Sequence, residues 1–421
     1  MTRVDLVAPP FAGHLHPILG VARRLRDEHD VRVISTEAAQ RAIAAAGLDG
    51  VSLLAGCDAA IAAIADPPRP VGSNPLRLHG QLRANLALLD RFQAELRQLW
   101  ADQRPHLVLA DFTLPVAGFV AQELGVAWWT THPSPCVIET PDGPPAYLGG
   151  WNPGRGPLGR LRDDTGRRLV RGFKRLVYRL HRRQLAALGL PSIYRQDGSE
   201  AVYSDERILA LGHAELELPR RWPAAVELVG PVLYTPPRPG AGPPPVFRSG
   251  RPHILVTLGT HLGAHKPALA DAVRRAASQL PAMDFHMTDG DGASERQESS
   301  GNFRHLGYVS YAEHLERYDL VVHHGGTGVL YYTLRAGLPA VVAPIDYDQP
   351  DHATRLVKAG LALRLGSLDD LARQVEKALA DPDLRANCRR FQPLVAPGLA
   401  EDRIATLVAI YTPPNRQFRP G

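Results

Sequence analysis

The sequence predicts an α/β protein of two doubly wound domains, each a parallel sheet with helices on both faces, facing one another across a cleft. Three observations carry this. Short β-rich runs alternate with helical patterns from Val4 to Thr130. A connector from Pro231 to Pro252 holds eight prolines, too many for either core. The alternation then restarts at His253, and 421 residues suit two such units.

In the first half, Val4–Ala8 reads as a strand, Pro17–Arg26 as a helix, Val31–Ser35 as a strand and Thr36–Ala46 as a helix. Pro75–Gln103 is a long helical pattern, followed by strand His106–Ala110, helix Leu114–Leu124 and strand Val126–Thr130. In the second half, strand His253–Thr257, helix Pro267–Leu280, strands Met283–Met287 and Leu320–His323, helix Thr327–Ala336 and strand Ala340–Ala343 repeat the scheme. The expected layout is residues 1–232 as a first domain, 233–252 as linker, 253–397 as a second domain, and 398–421 as a helix and tail packing back on the first domain.

With 44% hydrophobic and 22% charged residues the chain can build full cores, which excludes large-scale disorder. No apolar run is long enough for a membrane span, and the start enters a strand pattern without a signal-peptide layout, so a cytoplasmic location is expected. Cys57, Cys136 and Cys388 are too scattered for a disulfide framework or a zinc site. The net charge of +5 is local: eleven Lys and Arg lie between Arg155 and Leu190 against only Asp163 and Asp164.

That basic segment carries apolar residues at helical spacing from Leu169 to Leu180. Helices of this kind ordinarily pack the apolar side and solvate the rest; one this basic also suits anionic lipid, a partner protein or an anionic acceptor. Nucleic acid is excluded, because no nucleic-acid module accompanies the charge. Residues 54–85 and 131–196 read as irregular, with Trp128 and Trp129 expected in the core and Tyr147 and Trp151 offering aromatic surface.

The second half holds the densest chemistry. In DLVVHHGGTGVLYYTLRAG, from Asp319 to Gly337, Gly325, Gly326 and Gly328 lie between a strand end and a helix start. Glycine there bares N–H groups, and a helix N-terminus is a ready anion site, most suitably for phosphate. His324 and Thr327 add donors. The turn Leu258–Gly263, with Thr260, leaves the same sheet edge, and Pro344–Pro350 offers the carboxylates and amide that suit sugar hydroxyls.

In the first half, GHLHP at Gly13–Pro17 joins strand to helix. Pro17 suits a first helical turn, which puts His14 just before the helix at a carboxyl strand end. An imidazole there can take a hydroxyl proton near neutral pH, and Asp111, at the end of its strand, is placed to orient it.

Together HGGTG, AGLPAVVAP and DQPDHA between Tyr308 and Ala353, with GHLHP upstream, resemble the inverting family-1 glycosyltransferases of the GT-B fold, and the likeness spans nearly the whole chain. The resemblance implies a nucleotide sugar, UDP- or dTDP-linked, as co-substrate and a small-molecule, hydrophobic or aromatic natural product as acceptor. By it, His324 and Gly325–Gly328 (Gly325, Gly326, Thr327, Gly328) hold the diphosphate with Thr260 assisting, and Asp348 and Gln349 hold the sugar. Tyr308 stacks on the base, the Val309 backbone reads its edge, His14 is the base and Asp111 orients it. His16 is a rim residue.

Val329 and His352 depart from the usual Ser or Thr and Asn. Neither Asp289–Asp291 nor Asp346–Asp348 is expected to hold a required metal. Rival readings are a sugar-nucleotide epimerase of the same architecture and a non-catalytic sugar-nucleotide-binding partner protein. Further expected partners are a homodimer mate and a peripheral membrane contact through the basic helix near 167–188.

Overall fold

The computed structural model describes residues 2–67, 75–237, 244–291, 294 and 296–411. Two seven-stranded sheets organise these residues. The first contains β1 (Arg3–Val7), β2 (Asp30–Ser35), β3 (Asp49–Ser52), β4 (Leu107–Asp111), β5 (Ala127–His132), β6 (Ile208–Ala210) and β7 (Val226–Leu228). They pair in parallel in the order β3-β2-β1-β4-β5-β6-β7.

The second contains β8 (His253–Thr257), β9 (Asp284–Thr288), β10 (Gln297–Ser300), β11 (Phe303–Leu306), β12 (Leu320–His323), β13 (Ala340–Val342) and β14 (Ala362–Arg364). Its order is β10-β11-β9-β8-β12-β13-β14, parallel except for the edge strand β10. Both sheets reverse their winding beside the first strand, between β1 and β4 and between β8 and β12. Such switch points open a crevice beyond the strand ends.

Register fixes what emerges there. Val7 pairs with Ala110, so the loop after β1 and Asp111 leave the first sheet side by side. Thr257 pairs with His323, which aligns the turn at Thr260 with the one at Gly325–Gly328. Asp5, in the middle of β1, is buried but satisfied: Arg32 donates at 2.9 and 2.6 Å and Trp100 Nε1 at 2.7 Å.

Trp128 and Trp129 are buried, as their place on a strand predicts. The chain passes between cores within one step: Val232 packs into the first and Leu233 into the second. The helix Leu399–Ala409 returns to the first core through Ala400, Ile404, Ala405 and Val408, and Arg24 meets Asp402 at 2.6 Å.

Three expectations need correction. The first helix runs Ala12–Leu25, not from Pro17, so Pro17 sits in its interior and cannot return an N–H to the Gly13 carbonyl. Residues 54–85 are not irregular throughout, because Asp58–Ala65 is helical. Nor are 131–196: a 32-residue helix, Gly156–Ala187, fills much of that span, with a kink at His181. Its apolar row from Leu169 to Leu180 is turned to solvent and does not pack.

Candidate active site

The loops from both sheets enclose one cavity of about 650 Å³, within the range of small-molecule sites. On its first-sheet side, His14 lies in the opening turn of the helix Ala12–Leu25, since His14 N–H already bonds Phe11 O at 2.9 Å. Its Nδ1 stands 3.1 and 3.0 Å from the two Asp111 oxygens. Asp111 is buried beneath it and does not line the cavity; Thr113 donates to Oδ1 through N–H at 3.0 Å and hydroxyl at 2.6 Å.

Burial works against charge on His14, but the Asp111 carboxylate outweighs it and holds the imidazole pKa above 6.5. Burial likewise pushes the Asp111 carboxyl up, and His14 with the Thr113 donors pulls it below the ordinary carboxylate value. With Nδ1 tied to the carboxylate, Nε2 is the nitrogen left for a ligand. Phe112 backs the pair, its ring 5.6 Å from His14 and stacked 4.1 Å from His132. Burial pushes the His132 pKa down to about 3, so that histidine stays neutral.

Opposite, the helix Thr327–Arg335 points its N-terminus at the same cavity. The three glycines before and within it differ in what they do. Gly325 takes φ +98°, the left-handed region, and the His323 Nδ1 accepts its N–H at 3.0 Å. A Cβ on Gly326 would lie 2.3 Å from His324 Nε2. Gly328 has a negative φ and, among the described residues, nothing within 4 Å of a Cβ, so these residues give no reason for its bareness.

His324 is held neutral, its pKa pushed down to about 4 by burial against a smaller pull from Asp348. Its Nδ1 is buried and has no hydrogen-bond partner among the described residues. Thr260, Tyr308, His324, Gly326, Thr327, Gly328, Asp348 and Gln349 all line the cavity; Gly325 and Val309 do not. Val309 is buried, which leaves its backbone as the available part. Gln349 is partly committed, because its Oε1 accepts from Ile345 and Asp346 N–H at 2.9 and 3.1 Å.

A sequence profile, "Erythromycin biosynthesis protein CIII-like, C-terminal domain", matches residues 284–401. The chain is 30% identical over 329 residues to 4'-demethylrebeccamycin synthase of Lentzea aerocolonigenes, covering 74% of this chain and 72% of that one. The chain belongs to the family-1 glycosyltransferases.

Two solved structures share this glycosyltransferase's fold. The glycotransferase of kitacinnamycin aligns with a TM-score of 0.73 at 22% identity, over 97% of this chain and 98% of that one. The spinosyn rhamnosyltransferase SpnG, complexed with thymidine diphosphate, gives 0.63 at 20% identity over 97% and 100%. The architecture is therefore GT-B.

The first-sheet side of the glycosyltransferase's cavity is apolar, lined by Phe11, Ile61, Leu88, Phe92, Phe112 and Val137. Loops bridge the two halves at its rim. Phe11 meets His261 edge-on at 5.2 Å, and Asp66 accepts the Gly263 N–H at 3.3 Å. Ser134 donates to Asp348 Oδ2, and the Tyr147 N–H bonds Asp351 at 2.9 Å. Neither Asp66 nor Ser134 was singled out by sequence, although Ser134 follows β5 at the same sheet edge.

Burial raises the Asp348 carboxyl, but His352, 3.4 Å away, and Ser134 hold it far below its usual range. Cys136 Sγ, Asp348 and His352 bring ligand atoms within 4.8 Å of one another, the one such trio among the described residues. Asp348 is already engaged in it by two hydrogen-bonding groups. The other candidate acid, Asp289, is bound to His305 at 2.8 Å and Arg296 at 3.2 Å.

Proposed function

We propose that the chain transfers a sugar with inversion from a dTDP- or UDP-sugar to a hydroxyl of a small apolar natural product, with His14 as general base. The observation that carries this is the pairing across one cavity of an Asp111-oriented imidazole and a bare helix N-terminus. His14 Nε2 takes the acceptor proton as that oxygen bonds to the anomeric carbon. The bond to the diphosphate breaks, and its growing charge moves onto the N–H groups around Gly326–Gly328 and the helix dipole.

A base so placed contributes roughly 10²–10⁴-fold. Asp348 and the Gln349 amide are positioned for sugar hydroxyls, and Tyr308 for the base. The thymidine diphosphate in SpnG favours a dTDP donor, and the relative named 4'-demethylrebeccamycin synthase favours a natural-product acceptor. No metal step is required in this scheme, since Asp289 and Asp348 both have protein partners.

The test is product stereochemistry. An α-linked donor should give a β-linked product by NMR. Retained configuration, or sugar released or isomerised with acceptor absent and unaffected by acceptor, contradicts the proposal and favours the epimerase reading.

A further inference from the structure

The helix Gly156–Ala187 carries a feature that the transfer reaction does not use. Leu158, Leu161, Leu169, Phe173, Leu176 and Leu180 recur three, four or eight residues apart, so they share one face. Each exposes more than half of its surface, from 54% for Leu176 to 82% for Leu158. At 1.5 Å per residue the row is about 33 Å long, and it stops at the kink at His181. The helix packs through a different side: Asp163, Gly166 and His181 are buried, and Lys174 is bound by Glu139 at 2.7 Å and by Glu200.

Beside this row runs a second one. At about 100° per residue, Arg168, Arg175 and Arg179 line one flank, and Arg182 and Arg183 follow just beyond the kink. Arg179, Arg182 and Arg183 are exposed and have no ion pair among the described residues. The acids of the helix do not balance them, because Asp163 is buried and Asp164 is taken by Arg168 at 2.9 Å.

The charge decides the occupant. In a two-fold dimer the same surface meets itself, so both partners would bring unpaired arginines and no matching acids to the contact. A face that is apolar along a straight line and cationic beside it is complementary to an anionic bilayer, which offers acyl chains and phosphates in parallel layers. We propose that the helix docks on membranes containing anionic lipid, with Leu169, Phe173 and Leu176 in the acyl boundary and the arginines among the headgroups. This does not depend on which reaction the cavity performs.

Flotation of the full chain with vesicles of equal parts phosphatidylglycerol and phosphatidylcholine, against phosphatidylcholine alone, tests it. Binding should need the anionic lipid and fall steeply between about 0.01 M and about 1 M salt. Arg179→Gln and Arg182→Gln should each lower the partition about fivefold, and Phe173→Ser about tenfold or more. Phe173→Trp should add blue-shifted emission with anionic vesicles. These residues are exposed, so folding is not at stake. Absence of flotation at low salt, equal flotation with neutral vesicles, or a dimer in light scattering that Leu176→Ser dissolves would overturn the proposal.

Discussion

Replacing Asp111 by Asn probes the proposed base while keeping shape nearly constant. The Thr113 N–H and hydroxyl both donate to Asp111 Oδ1, at 3.0 and 2.6 Å. In Asp111→Asn the amide oxygen must take that place, which puts the amide NH₂ at the Oδ2 position, 3.0 Å from His14 Nδ1. With the amide oxygen already accepting two bonds from Thr113, the N–H aimed at Nδ1 favours the tautomer in which that nitrogen accepts. The ring proton then sits on Nε2, the atom that has to be bare to receive the acceptor's proton.

The variant should therefore lose most of the base's contribution, about 10²–10⁴ in kcat/KM, or about 3–5 kcal/mol of barrier. Donor affinity should stay unchanged. A pH effect follows with its own sign: wild-type activity should rise with pH through a midpoint above 6.5, because the carboxylate raises the His14 pKa and only the neutral ring accepts a proton. Without the carboxylate, burial is opposed only by the smaller pull of Asp348, and the residual midpoint should move below 6.5. The assay is nucleoside diphosphate release with an aliphatic alcohol acceptor across the pH range. If Asp111→Asn keeps more than about a tenth of wild-type kcat/KM, or the midpoint stays, the reasoning fails.

Gly325→Ala and Gly328→Ala should separate fold from ligand. The first forces a Cβ onto φ +98° and should cost about 1–2 kcal/mol of stability in a thermal melt. The second meets no protein atom within 4 Å, so it should change stability by less than about 0.5 kcal/mol while weakening dTDP binding in titration calorimetry. Equal losses of stability in both would remove the case for Gly328 as a ligand contact. Gly118→Ala drives a Cβ to 2.2 Å from Trp128 Cε3 and should destabilise by about 1–3 kcal/mol in denaturant unfolding; a neutral result would contradict the packing described. Chelation with EDTA should leave transfer rates unchanged, and a loss restored by added divalent cation would refute a metal-independent step.

Alternation of strand and helix was legible because parallel strands buried on both faces read as continuous apolar runs, as in Leu320–His323 and Leu107–Asp111. The glycine turn was legible because its composition has few other uses. What escaped depended on tertiary context. Pro17 suggested a helix start, yet the helix begins at Ala12. The rim of the cavity is assembled from loops whose meeting, as between Asp66 and Gly263, no local pattern encodes.

The helix Gly156–Ala187 is the instructive case. Its periodicity was plain in sequence, but periodicity cannot say whether an apolar face meets a core or solvent. Trp128 and Trp129 went the other way, since a strand next to β4 leaves them nowhere but the interior. Asp111 and His14 became a pair only because β1 and β4 are neighbours, an adjacency set by the whole sheet.

The most direct measurement is a crystal structure with dTDP or UDP bound. The diphosphate should lie on the N–H groups of Gly326, Thr327 and Gly328, within hydrogen-bond reach of His324, with the base against Tyr308. Density for the diphosphate at any other place in the cavity would contradict the account.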